Sequence, residues 1–299
     1  MRAGADSRIA GAPVSWGVCE VPGWGRQLPA DRVLAQMRAL GLRATELGPE
    51  GFLPDAPAAR AALLERHGLT AVGGFLPAVL HEPDHDPLPD VAAYLDLALA
   101  VGADTLVLAA ATGREDYEMR PRDLDVAGWD GLLARLDLIA EHASQRGVRA
   151  VVHPHLGTLI EDADDVRRVL DHTGLGLCLD TGHLAVAGAD PAAIARAHPD
   201  RIGHVHLKDV DGDLAARVRT GSLSYADAVA AGLWTALGDG VLDVPAIVAA
   251  LETAGYAGWY VLEQDVMLDD GTSADPAGEV RRSLAYLRGV LTGHQGSAS

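Results

Sequence analysis

The chain has 299 residues, 48% hydrophobic and 22% charged, with a formal net charge of −18. This is the composition of a soluble globular protein, and the acidity argues against a nucleic-acid or anionic-membrane partner, either of which needs a basic face. Two cysteines, Cys19 and Cys178, are too few for a disulfide framework and suit a reducing compartment.

The opening MRAGADSRIAGAPV lacks the apolar core of a signal peptide, and no run reaches about 18 uninterrupted apolar residues, so a cytoplasmic protein is expected. From there short apolar runs alternate with longer helical patterns, the rhythm of βα units around a parallel sheet. The predicted strands are 9–15, 42–47, 69–76, 104–110, 148–153, 175–180, 201–207 and 258–263. Eight is the number that closes a barrel. Ala- and Leu-rich helical segments lie between them, among them 31–40, 89–101, 126–145 and 244–254. Gly41, Gly68, Gly102, Gly147, Gly174 and Gly255 each fall just before a strand, where glycine stops a helix in the left-handed conformation.

The expected architecture is therefore α/β, one (β/α)₈ TIM barrel over residues 1–292, with GHQGSAS at 293–299 as a flexible tail. Residues 208–240 break the rhythm. This connection is too long for an ordinary βα loop, and Tyr225, Trp234 and the apolar stretch between them predict an ordered lid.

Four of the later strands end in residues able to bind metal: His153, Asp180, His206 and Glu263. The first three are spaced by about one βα unit each, and the long connection accounts for the wider last interval. In a barrel the C-terminal strand ends face one mouth, so the four side chains converge. Two imidazoles and two carboxylates form a mixed N/O set suited to Mn²⁺ or Co²⁺, with Zn²⁺, Fe²⁺ or Mg²⁺ as alternatives. His155, two residues after His153, competes for the place on the fifth strand.

Further polar residues surround this set. His183 follows Asp180 in DTGH, within reach of a substrate hydroxyl. Lys208 directly follows the seventh strand and is a candidate substrate contact or support for the ligand residues. Asp209, Glu46 at the end of the second strand, Trp16 and Arg219 are candidate substrate contacts, Trp16 as an apolar wall and Arg219 as a clamp. His204 shares a strand face with His206 one layer deeper and reads as a core histidine.

The motifs DTGH, HVHLKD, LGDGVLD and YVLE, together with HPHLGT at 153–158, resemble the xylose isomerase-like barrel superfamily over nearly the whole chain, most closely its inosose dehydratase branch. In the superfamily's epimerases a Glu, an Asp, a His and a Glu hold the metal; position by position these fall on His153, Asp180, His206 and Glu263. The departure is His153, where those epimerases carry Glu. Epimerisation uses the two glutamates as acid and base, whereas β-elimination needs one base and a different acid. The resemblance thus implies a metal-dependent dehydratase (a lyase) acting on a keto-polyol such as 2-keto-myo-inositol through an enediolate. Glu263, or in second place His153, is its expected base, and His183, His155 or Lys208 its acid. The alternative is a ketose or keto-sugar isomerase or 3-epimerase. An endonuclease on abasic DNA and a non-catalytic sugar-binding barrel are remoter readings, and the resemblance allows a homo-oligomer.

Overall fold

The structure, a computed structural model, describes residues 8–114, 116–119, 124–268 and 275–297. The barrel strands are β1 (Ile9–Gly11), β2 (Ala44–Thr45), β3 (Thr70–Ala71), β4 (Gly74–Val79), β5 (Thr105–Ala111), β6 (Arg149–Val152), β7 (Gly176–Asp180), β8 (Ile202–Leu207) and, after a small β9 (Asp209–Val210) and β10 (Trp234–Thr235), β11 (Tyr260–Leu262). The helices are α1 (Ala30–Ala39), α2 (Pro57–His67), α3 (Leu88–Ala100), α4 (Val126–Gln145), α5 (Ala163–His172), α6 (Thr181–Val186), α7 (Pro191–Ala197), α8 (Gly212–Arg219), α9 (Tyr225–Ala230), α10 (Val244–Thr253) and α11 (Pro276–Ser297). No helix among the described residues is long and apolar enough to cross a membrane.

The parallel sheet runs β3-β2-β1-β11-β8-β7-β6-β5-β4. Its two end strands are halves of the one strand expected at 69–76. The first half pairs with β2 and the second with β5, so the ring closes where this strand breaks at Val72 and Gly73. Gly73 is required there, because a Cβ would meet the Thr105 carbonyl oxygen at 2.8 Å. The Tyr94 hydroxyl, 2.9 Å from both Gly74 O and Thr105 O, fastens the break.

Five of the six glycine stops take positive φ: Gly41, Gly68, Gly102, Gly147 and Gly255. Gly174 does not. Helix α5 ends instead at Thr173 in an extended conformation, its hydroxyl donating to Val169 O at 2.8 Å. Helix α11 continues to Ser297, into the stretch 293–299 read as a tail.

Strand alternation sorts the core. On β7 and β8, Leu177, Leu179, Val205 and Leu207 face the helices and join the main apolar core, whereas Cys178 packs inside the barrel with Val107 and Val151. The inward face of the same strands carries Asp180, His204 and His206.

The connection after β8 is ordered, as expected of a lid. Strands β9 and β10 pair antiparallel, and Val210, Val218, Tyr225, Val229, Leu233 and Trp234 form an apolar cluster that also takes in Leu156 and Val186. Asp209 holds its return. One carboxylate oxygen accepts from the amides of Val210 (2.9 Å) and Leu242 (3.0 Å), the other from Gly238 (2.9 Å) and Gly240 (3.2 Å). Gly240 must lack a side chain, since a Cβ there would strike that carboxylate.

Asp209→Ala strands four backbone donors, one buried and three partly so, and is expected to lower stability by about 3 kcal/mol. Asp211→Ala, which removes only the cap accepting from Leu214 N, should cost about 1 kcal/mol. Denaturant unfolding of the two variants checks the difference; equal losses would show that Asp209 does not organise the loop.

Candidate active site

The barrel brings His153, Asp180, His206 and Glu263 together at the C-terminal strand ends. Asp180 closes β7 and divides its two oxygens. Oδ1 caps α6 by accepting from the amides of Gly182 (2.9 Å) and His183 (2.8 Å). Oδ2 faces His153 Nε2 at 3.2 Å, Lys208 Nζ at 3.4 Å and His206 Nδ1 at 3.6 Å. Glu263 Oε2 lies 3.0 Å from His206 Nδ1 and 3.1 Å from Lys208 Nζ. The other nitrogen of His206 donates to Glu46 Oε1 at 3.0 Å, and His204 Nε2 reaches the same oxygen at 2.9 Å. Glu46 thus fixes the ring of His206 and leaves Nδ1 turned toward Asp180 and Glu263.

All these groups are buried except Glu263, which is half-buried, so pairing decides their charge. Burial works against ionisation of His206, but Glu263 and Glu46 outweigh it and raise its pKa well above the imidazole range. Lys208 is buried too and is held cationic by Asp180, Asp265 and Glu263. Burial likewise opposes the carboxylates of Asp180, Glu263 and Glu46, yet the first is lowered by Lys208 and the other two by His206. Burial prevails at His155 and His183, which are pushed well below the usual value and stay neutral at neutral pH. It also raises Asp265, against the pull of Lys208.

The donor set fits a divalent cation. Asp180, His206 and Glu263 each offer a ligand atom, all within 4.8 Å of one another, and His153 forms an equally tight group with Asp180 and His183. Glu46 behind His206 is the outer carboxylate that commonly orients a ligating imidazole. His153 Nδ1 has no hydrogen-bond partner among the described residues, so its Nε2 side is the engaged one. His155 is arranged differently: Nδ1 donates to Leu156 O at 2.7 Å, and its ring lies against Tyr117 (4.3 Å) and His183 (3.8 Å). Geometry therefore puts His153, not His155, beside Asp180.

Above this floor opens a cavity of roughly 630 Å³ including its mouth. His155, Lys208, Glu263, Glu46 and Asp265 face it, and Val18, Val21, Trp24, Phe75, Tyr117 and Tyr225 supply apolar walls. His183 stands behind this surface, its Nε2 accepting from Lys208 Nζ at 2.9 Å and its ring edge-on to Trp234.

Three sequence candidates lie elsewhere, each for a local reason. Trp16 is fully buried with Nε1 donating to Gln36 at 2.8 Å, so Trp24 and not Trp16 walls the cavity. Asp209 is consumed by the four amides of the lid. The Arg219 guanidinium donates to Ala185 O and Val186 O at the end of α6 and lines a separate surface depression. Asp265 joins the site unannounced by any motif, its one sequence signal being a spacing of two from Glu263 in an extended segment. Nothing in the spacing announces Tyr117 or Trp24, which reach the cavity from long loops.

Residues 34–290 match the xylose isomerase-like TIM barrel family. Among curated relatives, the rhizopine catabolism protein MocC of Rhizobium meliloti is 37% identical over 86% of this chain and 81% of its own length. The inosose dehydratase of Geobacillus thermodenitrificans is 30% identical over 93% and 95%. Solved structures with the same fold include an L-ribulose 3-epimerase, with a TM-score of 0.72 at 19% identity over 97% of this chain and 96% of that one. Another is the probable 3-DHS dehydratase AsbF of Bacillus anthracis, with a TM-score of 0.70 at 14% identity over 94% and 98%. Fold, motifs and relatives agree: the chain belongs to the xylose isomerase-like TIM barrel family.

Proposed function

We propose that this protein is a metal-dependent dehydratase that removes water from an uncharged keto-polyol, with 2-keto-myo-inositol the leading candidate. The observation that carries the reading is the 3.1 Å contact between Glu263 Oε2 and Lys208 Nζ on the cavity floor. It puts a carboxylate base and an ammonium acid side by side, where epimerisation calls for two matched bases. The inosose dehydratase relatives support the substrate class.

His153, Asp180, His206 and Glu263 would hold the ion, and Mn²⁺ or Co²⁺ suits the mixed donor set. When bound there, a divalent ion supplies Lewis-acid stabilisation of the charge that develops on a ketone oxygen as the neighbouring C–H ionises. Glu263 takes that α-proton. Lys208 gives a proton to the β-hydroxyl, which leaves as water while a C=C bond forms and later tautomerises to a diketone. At that point Glu263 holds the proton that Lys208 lacks, and one proton passed from the carboxyl to the neutral amine resets both groups.

The other donor candidates fit less well. His183 accepts from Lys208, and the neutral His155 has its one N–H committed to Leu156 O; His183 steadies the acid, and His155 accepts from a substrate hydroxyl through Nε2. Apart from the histidines, Lys208 is the one cationic side chain facing the cavity among the described residues. It stands among carboxylates, so a phosphorylated sugar has no partner here and a neutral polyol does.

Turnover of 2-keto-myo-inositol is expected in Mn²⁺ or Co²⁺, read as ultraviolet absorbance of the product and a mass loss of one water, and is expected to vanish in EDTA. Deuterium uptake from D₂O into a keto-sugar with no loss of water would instead make the protein an isomerase or epimerase.

The two central groups are expected to separate by variant. Glu263→Gln should abolish both α-proton exchange and elimination. Lys208→Met should cut elimination by about 10²-fold or more while exchange into recovered substrate continues. Parallel loss of both in Lys208→Met would remove Lys208 from the acid role.

A further inference from the structure

Lys208 does not sit beside the metal-binding group; it sits on it. Its ammonium touches Asp180 Oδ2 at 3.4 Å and Glu263 Oε2 at 3.1 Å, oxygens that also face His206 Nδ1. A divalent ion drawn to those carboxylates meets a positive charge already there. Buried like charges at such separations repel strongly, so ion and ammonium cannot share the two oxygens.

The ammonium has a third carboxylate partner, Asp265 Oδ1, at 3.1 Å. Asp265 belongs to none of the clusters able to hold a metal among the described residues. Its other oxygen accepts from the Tyr225 hydroxyl at 3.1 Å. Tyr225 comes from α9 of the lid, whose first amides are capped by Glu118: Tyr225 N at 2.7 Å and Ala226 N at 3.0 Å. Asp265 is thus a buried, pre-oriented carboxylate that pairs with Lys208 without belonging to the metal group, held by Tyr225 of the lid.

Resting on the metal site of the proposed function, we infer that Lys208 is a built-in counter-cation that yields Asp180 and Glu263 to the entering ion, and that Asp265, positioned by Tyr225, is the berth that receives its ammonium. Before the ion arrives Lys208 keeps the two carboxylates neutralised. Afterwards it remains charge-paired through Asp265 and stands free of the ligand oxygens at the cavity wall. Asp265 and Tyr225 are positioning residues in this scheme, acting through Lys208.

The test is Mn²⁺ affinity of the full-length apoprotein by titration calorimetry, with no turnover involved. Lys208→Met removes the competitor and is expected to tighten Mn²⁺ binding about tenfold. Asp265→Asn takes away the berth and should weaken binding about tenfold, and Tyr225→Phe should weaken it less. The deciding measurement is the double variant: with Lys208 already replaced by Met, Asp265→Asn should change affinity little. An equally large effect of Asp265→Asn in both backgrounds would reduce Asp265 to a distant negative charge and overturn the berth. Unchanged or weakened binding in Lys208→Met would overturn the competition. Should the wild type bind no Mn²⁺, Co²⁺ or Zn²⁺, the metal site itself falls and the inference with it, an outcome separate from binding that ignores Lys208. Tyr225→Phe keeps the inference testable if Asp265→Asn fails to fold.

Discussion

Asp180, Glu263 and Asp265 converge on a single ammonium at a depth where water scarcely reaches any of the four. A buried charge without a partner costs several kcal/mol, so none of these groups tolerates the loss of its neighbours. The same holds one layer down, where Glu46 takes both His204 and His206. The barrel mouth is therefore an ionic lattice whose members come from β2, β7, β8 and β11, and the register of those strands is bound to it. A one-residue slip of β8 would turn His204 and His206 out toward the helices and Val205 and Leu207 into the lattice.

The backbone meets that demand with few devices. Asp180 spends one oxygen on capping α6 and keeps the other for the site, so the orientation of the carboxylate is set by helix geometry rather than by a free rotamer. The Thr181 hydroxyl accepts from Lys208 N at 2.9 Å and donates to Lys208 O at 2.6 Å. This ties the exit of β7 to the exit of β8 just where Lys208 leaves the sheet. Beyond it Asp209 gathers four amides and turns the lid back over the cavity. Three of the four residues of HLKD thus serve three layers: His206 the ligand set, Lys208 its charge balance, Asp209 the cover.

The repeat was legible in the sequence because it rests on local chemistry. Apolar runs of strand length, helical spacing and glycine stops each act over a few residues, and α4 matches its expected span, whereas the first strand, expected over 9–15, stops at Gly11 and gives way to a 3₁₀ turn at Pro13–Trp16. The division of the third strand was not legible. LTAVGGFL reads as one continuous strand, and only barrel closure reveals that its halves pair with different neighbours. The strand-end residues could be read because period two and a shared mouth place them without knowledge of side-chain contacts. Trp16, Asp209 and Arg219 could not, since an indole, a carboxylate and a guanidinium satisfied by Gln36, by lid amides and by α6 carbonyls carry no mark of it in sequence. Asp265 and Tyr225 become visible as a unit only when the lid is folded over β11.

The imidazole at position 153 gains its meaning from this lattice. A carboxylate there would give the floor a second base facing Glu263, the arrangement that passes a proton back and forth. His153 is instead pushed toward the neutral form, by burial first, and adds a donor to the metal group without adding negative charge. Of the other carboxylates at the cavity, Asp265 is committed to Lys208 and Tyr225, Glu46 to His204 and His206, and Glu20 accepts from the Tyr117 hydroxyl. Of the two ligand-side carboxylates beside Lys208, Asp180 and Glu263, only Glu263 lines the cavity among the described residues, and the site is asymmetric: base and acid differ in kind. Loss of a hydroxyl needs that inequality, whereas inversion of a stereocentre needs the two sides to be interchangeable. The chemistry proposed here follows from which charges the barrel chose to pair, more than from which residues could ligate an ion.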